Sequence, residues 1–80
     1  MTKSDIMQAL QEIFKEVLDN EEIQLAEQTV ADDIEEWDSL SHIQLIVAIE
    51  RHFGFKFRSA EARSFANVGE IATAVAQKSS

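Results

Sequence analysis

Apolar residues recur at intervals of three and four near the start of the chain, and this spacing predicts an amphipathic helix over residues 3–18. Thr2 is suited to cap the helix, because Asp5 follows three residues later in a capping-box-like position. The predicted inner face consists of Ile6, Met7, Leu10, Ile13, Phe14, Val17 and Leu18. A helix with such a face needs other elements against which to bury it.

A second apolar segment predicts a helix over residues 39–53, with Asp38 as its N-cap and Ser39 as its first helical residue. Gly54 follows where a left-handed residue would end the helix. The apolar residues of this segment are Leu40, Ile43, Leu45, Ile46, Val47, Ala48, Ile49 and Phe53. Because they are so numerous, we expect this helix to be central and to pack on more than one side.

Two shorter helices complete the pattern. Ser59 is suited to cap a helix over about residues 59–64. Asn67, with Glu70 three residues later, is suited to open a last helix over about residues 68–77.

The segments between these helices contain no predicted strand. Phe53, Phe55 and Phe57 alternate, but three such residues around a glycine are too few for a strand, so we interpret them as a connector whose rings enter the core. Residues 19–37 show neither the helical period of 3.6 residues nor the strand period of two, and they predict a long acidic loop. The predicted fold class is therefore all-α, a four-helix bundle formed by the whole 80-residue chain as one domain.

Negative charge is concentrated in the first half of the chain. Residues 1–40 hold twelve acidic and two basic side chains, whereas residues 41–80 hold three acidic and five basic ones. The net charge of the whole chain is −8. This excess repels nucleic acids and anionic membranes and favours partners with basic surfaces. The acidic loop could bind calcium or magnesium weakly, but Trp37 stands where an EF-hand needs glycine, and we assign no metal ligand.

Several classes of protein are excluded by residues that the chain lacks. There is no cysteine, which rules out disulfides, cysteine–zinc sites and a cysteine nucleophile. The longest apolar run, Leu45–Ile49, is far shorter than the roughly 20 residues of a membrane span. No signal peptide is visible, so we expect a cytoplasmic protein, and nothing in the sequence demands more than a monomer.

The motif Asp38-Ser39-Leu40 has two interpretations. A serine directly after an N-cap is ordinary capping chemistry, or it carries a phosphate ester. The start of a helix suits a phosphate, because free backbone N–H groups and the helix dipole favour an anion. The acidic loop before this serine and the apolar helix after it favour the second interpretation.

Trp37-Asp38-Ser39-Leu40 and the residues that follow resemble an acyl carrier protein over nearly the whole chain. The further residues of the resemblance are Ile43, Leu45, Val47, Glu50, Phe53, Gly54 and Phe57. The resemblance implies a four-helix bundle in which a phosphopantetheinyl transferase attaches 4′-phosphopantetheine from coenzyme A to Ser39. It implies that Asp38 and Leu40 flank this attachment site and that Asp38 is recognised by the transferase. The thiol of the arm would carry acyl thioesters between partner enzymes, and the protein itself would catalyse nothing.

The resemblance also implies how partners are recognised. Carriers of fatty acid synthesis typically present an acidic second helix, whereas the acidic residues of this chain lie mainly in the preceding loop. We therefore expect a specialised lipid, polyketide or related pathway, with an acyl ligase, synthase or acyltransferase that has a basic docking surface. The residues that it would contact are Glu35, Glu36, Asp38, Val47 and Glu50.

Other roles around the motif stay open at the level of sequence. Family members can shelter an acyl chain between helices, and the candidate lining residues, for which plain core packing is the alternative, are Leu45, Ile49, Phe53, Phe57 and Ile71. His42 is either exposed or close to the phosphate, one turn after Ser39. Trp37 either packs the loop on the core or forms a wall beside the arm.

Two alternative functions also stay open. The cargo could be an aminoacyl group, although Asp-Ser-Leu favours acyl carriers over peptidyl carriers, which usually have glycine before the serine. The chain could instead be a small acidic helical adaptor that binds a basic protein through residues 32–38 without modification. The charge disfavours a helix-turn-helix DNA binder, and no plausible triad supports a hydrolase that uses Ser39.

Overall fold

The computed structural model describes residues 2–79, and within this range the chain forms four α-helices, one short 3-10 turn and no strand. Helix α1 comprises Lys3–Val17, α2 Ser39–Phe53, α3 Ser59–Arg63 and α4 Val68–Ser79. The 3-10 turn, Ala31–Asp33, lies in the loop between α1 and α2. The all-α fold class is confirmed. Within the same residues, no helix combines the length and the apolar character that crossing a bilayer requires.

Helix α1 begins with the capping box that its sequence predicts. The Thr2 hydroxyl accepts a hydrogen bond from the N–H of Asp5 at 3.1 Å, and the Asp5 carboxylate accepts the N–H of Thr2 at 3.2 Å. The cap satisfies N–H groups that have no partner inside the helix. It therefore fixes where the apolar face of α1 begins.

The central helix is α1, which packs against both α2 and α4. The expectation that α2 would be central is wrong, although α2 does pack on more than one side, since Ile46, which faces α3, is also buried. Helix α3 has only five residues and leaves the outer flank of α2 uncovered, so Leu40, Ile43 and Val47 remain 68%, 63% and 45% exposed. The core around α1 consists of Ile6, Leu10, Ile13, Phe14, Leu18, Ile23, Trp37, Leu45, Ile49, Val68, Ile71, Ala72 and Val75.

Helix α2 ends at Gly54, whose backbone has a φ of 78° in the left-handed region. Glycine adopts this conformation without a penalty, which is why the sequence signal for the helix end is reliable. The phenylalanine rings beyond it are half-buried against the core and form a chain of ring contacts without any strand. The rings in contact, at centroid distances of 4.9–6.2 Å, are Phe53–Phe55, Phe55–Phe57 and Phe57–Phe65.

Helix α3 differs from the prediction at its start. Ser59 is not its cap but its first helical residue; Arg58 is the N-cap, and no side chain of that residue caps the helix. Instead, the carboxylate of Glu61 accepts the N–H of Arg58 at 3.3 Å. The helix ends at Arg63, one residue before the predicted bound.

Helix α4 begins with half of the predicted capping box. Asn67 Oδ1 accepts the N–H of Glu70 at 2.9 Å, but the Glu70 carboxylate reaches back to the N–H of Ala66 rather than to that of Asn67. The helix continues to Ser79, beyond the predicted residue 77. Lys78 contributes to this, because its ammonium group lies 3.0 Å from the carboxylate of Glu61 and ties the end of α4 to α3.

The loop between α1 and α2 is held to the bundle by its backbone. The carbonyl oxygens of Thr29 and Glu27 accept the N–H groups of Val68 and Gly69 at 2.9 and 2.7 Å. A Cβ on Gly69 would lie 2.9 Å from the Glu27 carbonyl oxygen, so only glycine permits this approach. The loop therefore caps α4, and the far end of the loop delivers the buried Trp37 to the start of α2.

Candidate functional site

The candidate site begins at the N-terminus of α2, where Asp38 forms a reciprocal cap. Asp38 Oδ1 accepts the N–H groups of Leu40 and Ser41 at 3.0 and 2.9 Å, and Ser41 Oγ accepts the N–H of Asp38 at 2.8 Å. The hydrogen bond from the backbone of Ser41 is the main reason that the pKa of Asp38 is lowered. The sequence analysis missed Ser41, although Asp-x-x-Ser at a helix start is a signal for such a cap.

Ser39 is the first residue of α2 and is exposed. Its neighbour Leu40 is also exposed, so an enzyme can approach this turn of the helix from solvent. The cap reduces the number of free N–H groups that a phosphate could bind here, because those of Leu40 and Ser41 already donate to Asp38. Phosphate binding by the remaining N–H groups and by the helix dipole stays a prediction.

A cavity of about 650 Å³ opens beside Ser39. Its walls come from the loop, from α2 and from the segment around α3, and they are Ala31, Asp32, Trp37, Asp38, Ser39, His42, Ile43, Arg63, Phe65 and Ala66. A second cavity of about 230 Å³ lies between α2 and α3 and shares three of these residues, His42, Ile43 and Arg63. Ser39 therefore stands at the edge of a recess between α2 and α3.

Trp37 packs the loop on the core, whereas its role as a wall beside the arm stays a prediction. Its side chain is 7% exposed, and its ring meets that of Phe14 edge-on, at a centroid distance of 5.0 Å and an angle of 89°. This contact packs the loop onto the core. The same residue also lines the cavity beside Ser39.

His42 is neither an exposed helical histidine nor a free group near Ser39. Trp37 Nε1 donates a hydrogen bond to His42 Nδ1 at 3.1 Å, and His42 Nε2 lies 2.8 Å from the carbonyl oxygen of Ala62. The imidazole is therefore held on both sides. No sequence signal predicts this arrangement, because Ala62 lies 20 residues further along the chain.

The residues proposed for partner recognition lie in different environments. Glu35 and Glu36 are exposed in the loop, and Val47 is exposed on α2. Glu36 also accepts a hydrogen bond from the Asn20 side chain at 3.1 Å. Glu50 is half-buried, and its carboxylate accepts the N–H of Phe57 at 2.7 Å, so it helps to hold the aromatic connector.

The candidate acyl-lining residues lie away from the cavity beside Ser39. Leu45, Ile49 and Ile71 are at most 1% exposed within the core. Phe53 and Phe57 are half-buried against that core. None of the five lines the cavity beside Ser39, and their role in sheltering an acyl chain stays a prediction.

Comparisons with known proteins agree with this geometry. A family model described as a phosphopantetheine attachment site matches residues 8–75. The solution NMR structure of a holo acyl carrier protein from Geobacter metallireducens is 44% identical, with a TM-score of 0.85, and the match covers 91% of this chain and 84% of that one. No curated protein shows significant similarity to the chain. From the family match and the structural likeness together, the chain belongs to the acyl carrier protein family, whose function is to carry acyl groups on covalently attached 4′-phosphopantetheine.

Proposed function

We propose that Ser39 is the residue that carries 4′-phosphopantetheine and that the chain presents acyl thioesters to the enzymes of a specialised lipid, polyketide or related pathway. The observation that carries the proposal is the position of Ser39, exposed as the first residue of α2 and beside a cavity of about 650 Å³. The Asp38–Ser41 cap fixes the backbone on both sides of its hydroxyl. An exposed hydroxyl on a rigid turn beside an open recess fits a long flexible arm.

The residues of this turn have separate tasks in the attachment. Ser39 supplies the oxygen that forms the new bond to the phosphorus of the phosphopantetheine part of coenzyme A. The phosphoanhydride bond breaks, adenosine 3′,5′-bisphosphate leaves, and the serine proton passes to a base of the transferase. Asp38 holds the first turn of α2 and offers a negative charge next to the reacting hydroxyl for a transferase to recognise. The attached arm supplies a terminal thiol, which the cysteine-free chain does not otherwise have.

An exposed apolar ridge on α2 supports direct docking of the partner enzymes. Leu40, Ile43 and Val47 share this ridge, which begins next to Ser39. Glu35 and Glu36 are exposed in the loop just before it. A transferase, ligase, synthase or acyltransferase that covers the ridge with apolar side chains and faces the loop with basic ones would bring its active site to Ser39.

The chain acts as a carrier rather than as a catalyst. A serine enzyme needs a base beside its nucleophile, and the nearest histidine in sequence is His42. Both ring nitrogens of His42 are engaged, by Trp37 and by Ala62, so this imidazole is not available to activate Ser39. The contribution of the carrier is a tether that raises the effective concentration of the acyl group at each partner's active site.

The test is intact mass spectrometry after incubation with coenzyme A, magnesium and a promiscuous phosphopantetheinyl transferase. We expect the wild type to gain one phosphopantetheine and Ser39→Ala to gain none. Ser59→Ala is the matched control, because Ser59 is also an exposed first residue of a helix, and we expect it to be modified like the wild type.

Two outcomes would contradict the proposal. One is modification of Ser39→Ala. The other is no modification of a wild-type protein that is folded by circular dichroism, with a second transferase also failing. In the second case an unmodified acidic adaptor, whose binding survives Ser39→Ala, becomes the better explanation.

A further inference from the structure

One imidazole ring, that of His42, joins three parts of the molecule. Its Nδ1 lies 3.1 Å from Trp37 Nε1 at the end of the loop, and its Nε2 lies 2.8 Å from the carbonyl oxygen of Ala62 in α3. The planes of the two rings differ by only 18°, and their centroids are 6.0 Å apart. The rings are therefore side by side, so that the in-plane lone pair of Nδ1 can accept the indole N–H.

These two contacts determine the protonation state of the ring. An indole nitrogen only donates and a carbonyl oxygen only accepts, so Nδ1 must be unprotonated and Nε2 must carry the proton. An imidazolium carries a proton on both nitrogens, and it would keep the bond to Ala62 but lose the bond from Trp37. Because Trp37 is 7% exposed, its indole N–H would then be left in a buried place without that acceptor.

The two hydrogen bonds of His42 form a bridge from Trp37 through His42 to Ala62. This bridge also joins parts of the wall of the recess beside Ser39. Trp37 and His42 line the cavity at Ser39, and His42 and Ala62 line the adjoining cavity between α2 and α3. A helix of five residues, such as α3, is too short to be stable alone, so its position depends on ties to the rest of the molecule. The His42–Ala62 hydrogen bond is one such tie.

We propose that His42 is a positioning residue for the arm attached at Ser39. In its neutral form it holds Trp37 and α3 as two walls of the recess, whereas an imidazolium could not accept the indole N–H, so protonation would release Trp37 and change the shape of the recess. The inference rests on the proposed function in one respect, because it takes the arm on Ser39 to be what enters the recess.

Three charged side chains share these cavities with His42. They come from three different segments: Asp32 from the 3-10 turn, Asp38 from the N-cap of α2 and Arg63 from α3. Carboxylates and guanidinium groups generally keep their charge from about pH 5 to pH 8, whereas histidine changes its charge in this range.

The first test uses the unmodified protein. Trp37 is the only tryptophan of the chain, so its indole N–H gives a single resonance in the proton–nitrogen NMR spectrum. We expect this resonance to move upfield as the pH falls from 8 to 5, because the hydrogen bond to Nδ1 is lost. We also expect the imidazole nitrogen shifts at pH 8 to show the proton on Nε2.

Two matched substitutions separate the bridge from a general effect of pH. His42→Gln offers an acceptor and a donor in one uncharged side chain, so the indole resonance of this variant should not respond to pH in this range. His52→Gln makes the same change at an exposed position of the same helix and should keep the wild-type response. If His42→Gln does not fold, Trp37→Phe removes the indole N–H, and the emission of a fluorophore on the attached arm should then not shift with pH.

Several results would overturn the inference. They are an indole resonance that does not respond to pH in the wild type, a proton on Nδ1 at pH 8, a response that persists in His42→Gln, and an emission shift of the arm that persists in Trp37→Phe.

The second test asks whether the bridge governs the arm. A pantetheine analogue that ends in a solvatochromic fluorophore is attached by the transferase, and its emission is compared at pH 8 and pH 5. We expect the emission to shift in the wild type and in His52→Gln but not in His42→Gln. Equal shifts in all three proteins would overturn the inference. Failure of attachment would contradict the proposed function alone, because the indole measurement requires no arm.

Discussion

A single carboxylate, that of Asp38, both begins α2 and sets the surroundings of Ser39. It accepts two backbone N–H groups and receives a hydrogen bond at its own N–H from the Ser41 hydroxyl in return. The hydrogen bond from the Ser41 backbone contributes most to lowering the pKa of Asp38, since it stabilises the charged form. The conformation of the motif therefore depends on pH at the acidic end of the scale.

The first prediction compares the wild type with Asp38→Asn, in which an amide caps the helix without titrating. Because the pKa of Asp38 is lowered in the folded state, its carboxylate stabilises the fold above the unfolded pKa of about 4 and loses this effect as the pH falls. We expect the advantage of the wild type in free energy of unfolding to shrink as urea denaturation is repeated from about pH 6 to about pH 3. A difference that stays constant over this range would contradict the prediction.

A second prediction concerns Gly54, whose φ of 78° ends α2. No atom lies within 4 Å of the place where a Cβ would stand, so the cost of Gly54→Ala is that of backbone strain alone, roughly 1–2 kcal/mol. Gly54→Asn should cost less, because asparagine tolerates the left-handed region. The free energies of unfolding in urea test this order, and an alanine variant as stable as the wild type would refute it.

At the scale of the helices, α2 has an inner face that stabilises the fold and an outer face that does not. Ile49 is fully buried against α1 and the rest of the core, whereas Ile43 is 63% exposed. The outer face begins beside Ser39 and is flanked by cavities that Ile43 helps to line, among them the two near Ser39. The shortness of α3 leaves this face available for partners.

The same substitution at these two positions should separate stability from partner recognition. Ile49→Val is expected to lower the free energy of unfolding by about 0.5–1.5 kcal/mol, because it leaves a small cavity in the core. Ile43→Val should change it by less than about 0.5 kcal/mol, and Ile43→Ser should lower the kcat/KM of the transferase while the protein stays folded. Urea denaturation and initial rates of modification measure the two effects. Normal modification kinetics of Ile43→Ser would remove the support for docking on this ridge.

At the scale of the whole molecule, the net charge of −8 opposes folding through the mutual repulsion of the acidic side chains. Twelve of the fifteen acidic residues fall within residues 1–40, in which there are only two basic ones. The ion pair that Lys3 forms with Glu27 is exposed and so offsets little of this repulsion. An 80-residue domain also buries a modest core, so repulsion is a sizeable part of its free energy balance.

We therefore expect the melting temperature to rise with salt and to rise further with millimolar magnesium. Sodium chloride at the same ionic strength as the magnesium is the control, because it separates screening of the repulsion from binding of the cation. Differential scanning calorimetry in low-salt buffer provides the measurement. A melting temperature that responds to neither ion would refute the role of repulsion.

Much of the fold follows from short segments of the sequence. Thr2 with Asp5, Asp38 and Gly54 mark helix ends by hydrogen bonds or backbone conformations that involve residues no more than a few positions apart. Such interactions form between neighbours whatever the rest of the chain does, so residue types alone reveal them. Ser39 is proposed as the attachment residue on the same local basis, because the motif that contains it is contiguous.

The packing of the helices decided what the sequence could not show. The apolar residues of α2 looked alike in sequence, yet Ile49 is buried and Ile43 is exposed, because α1 covers one flank and the five-residue α3 leaves the other open. The contact of His42 with Ala62 likewise arises from the placement of α3. The sequence by itself determined the four helices, the N-terminal caps of α1 and α2, the end of α2 and the position of the motif, since these are local. The tertiary structure alone decided which helix is central, which apolar face meets solvent and what surrounds Ser39, since these depend on contacts between residues far apart in the chain.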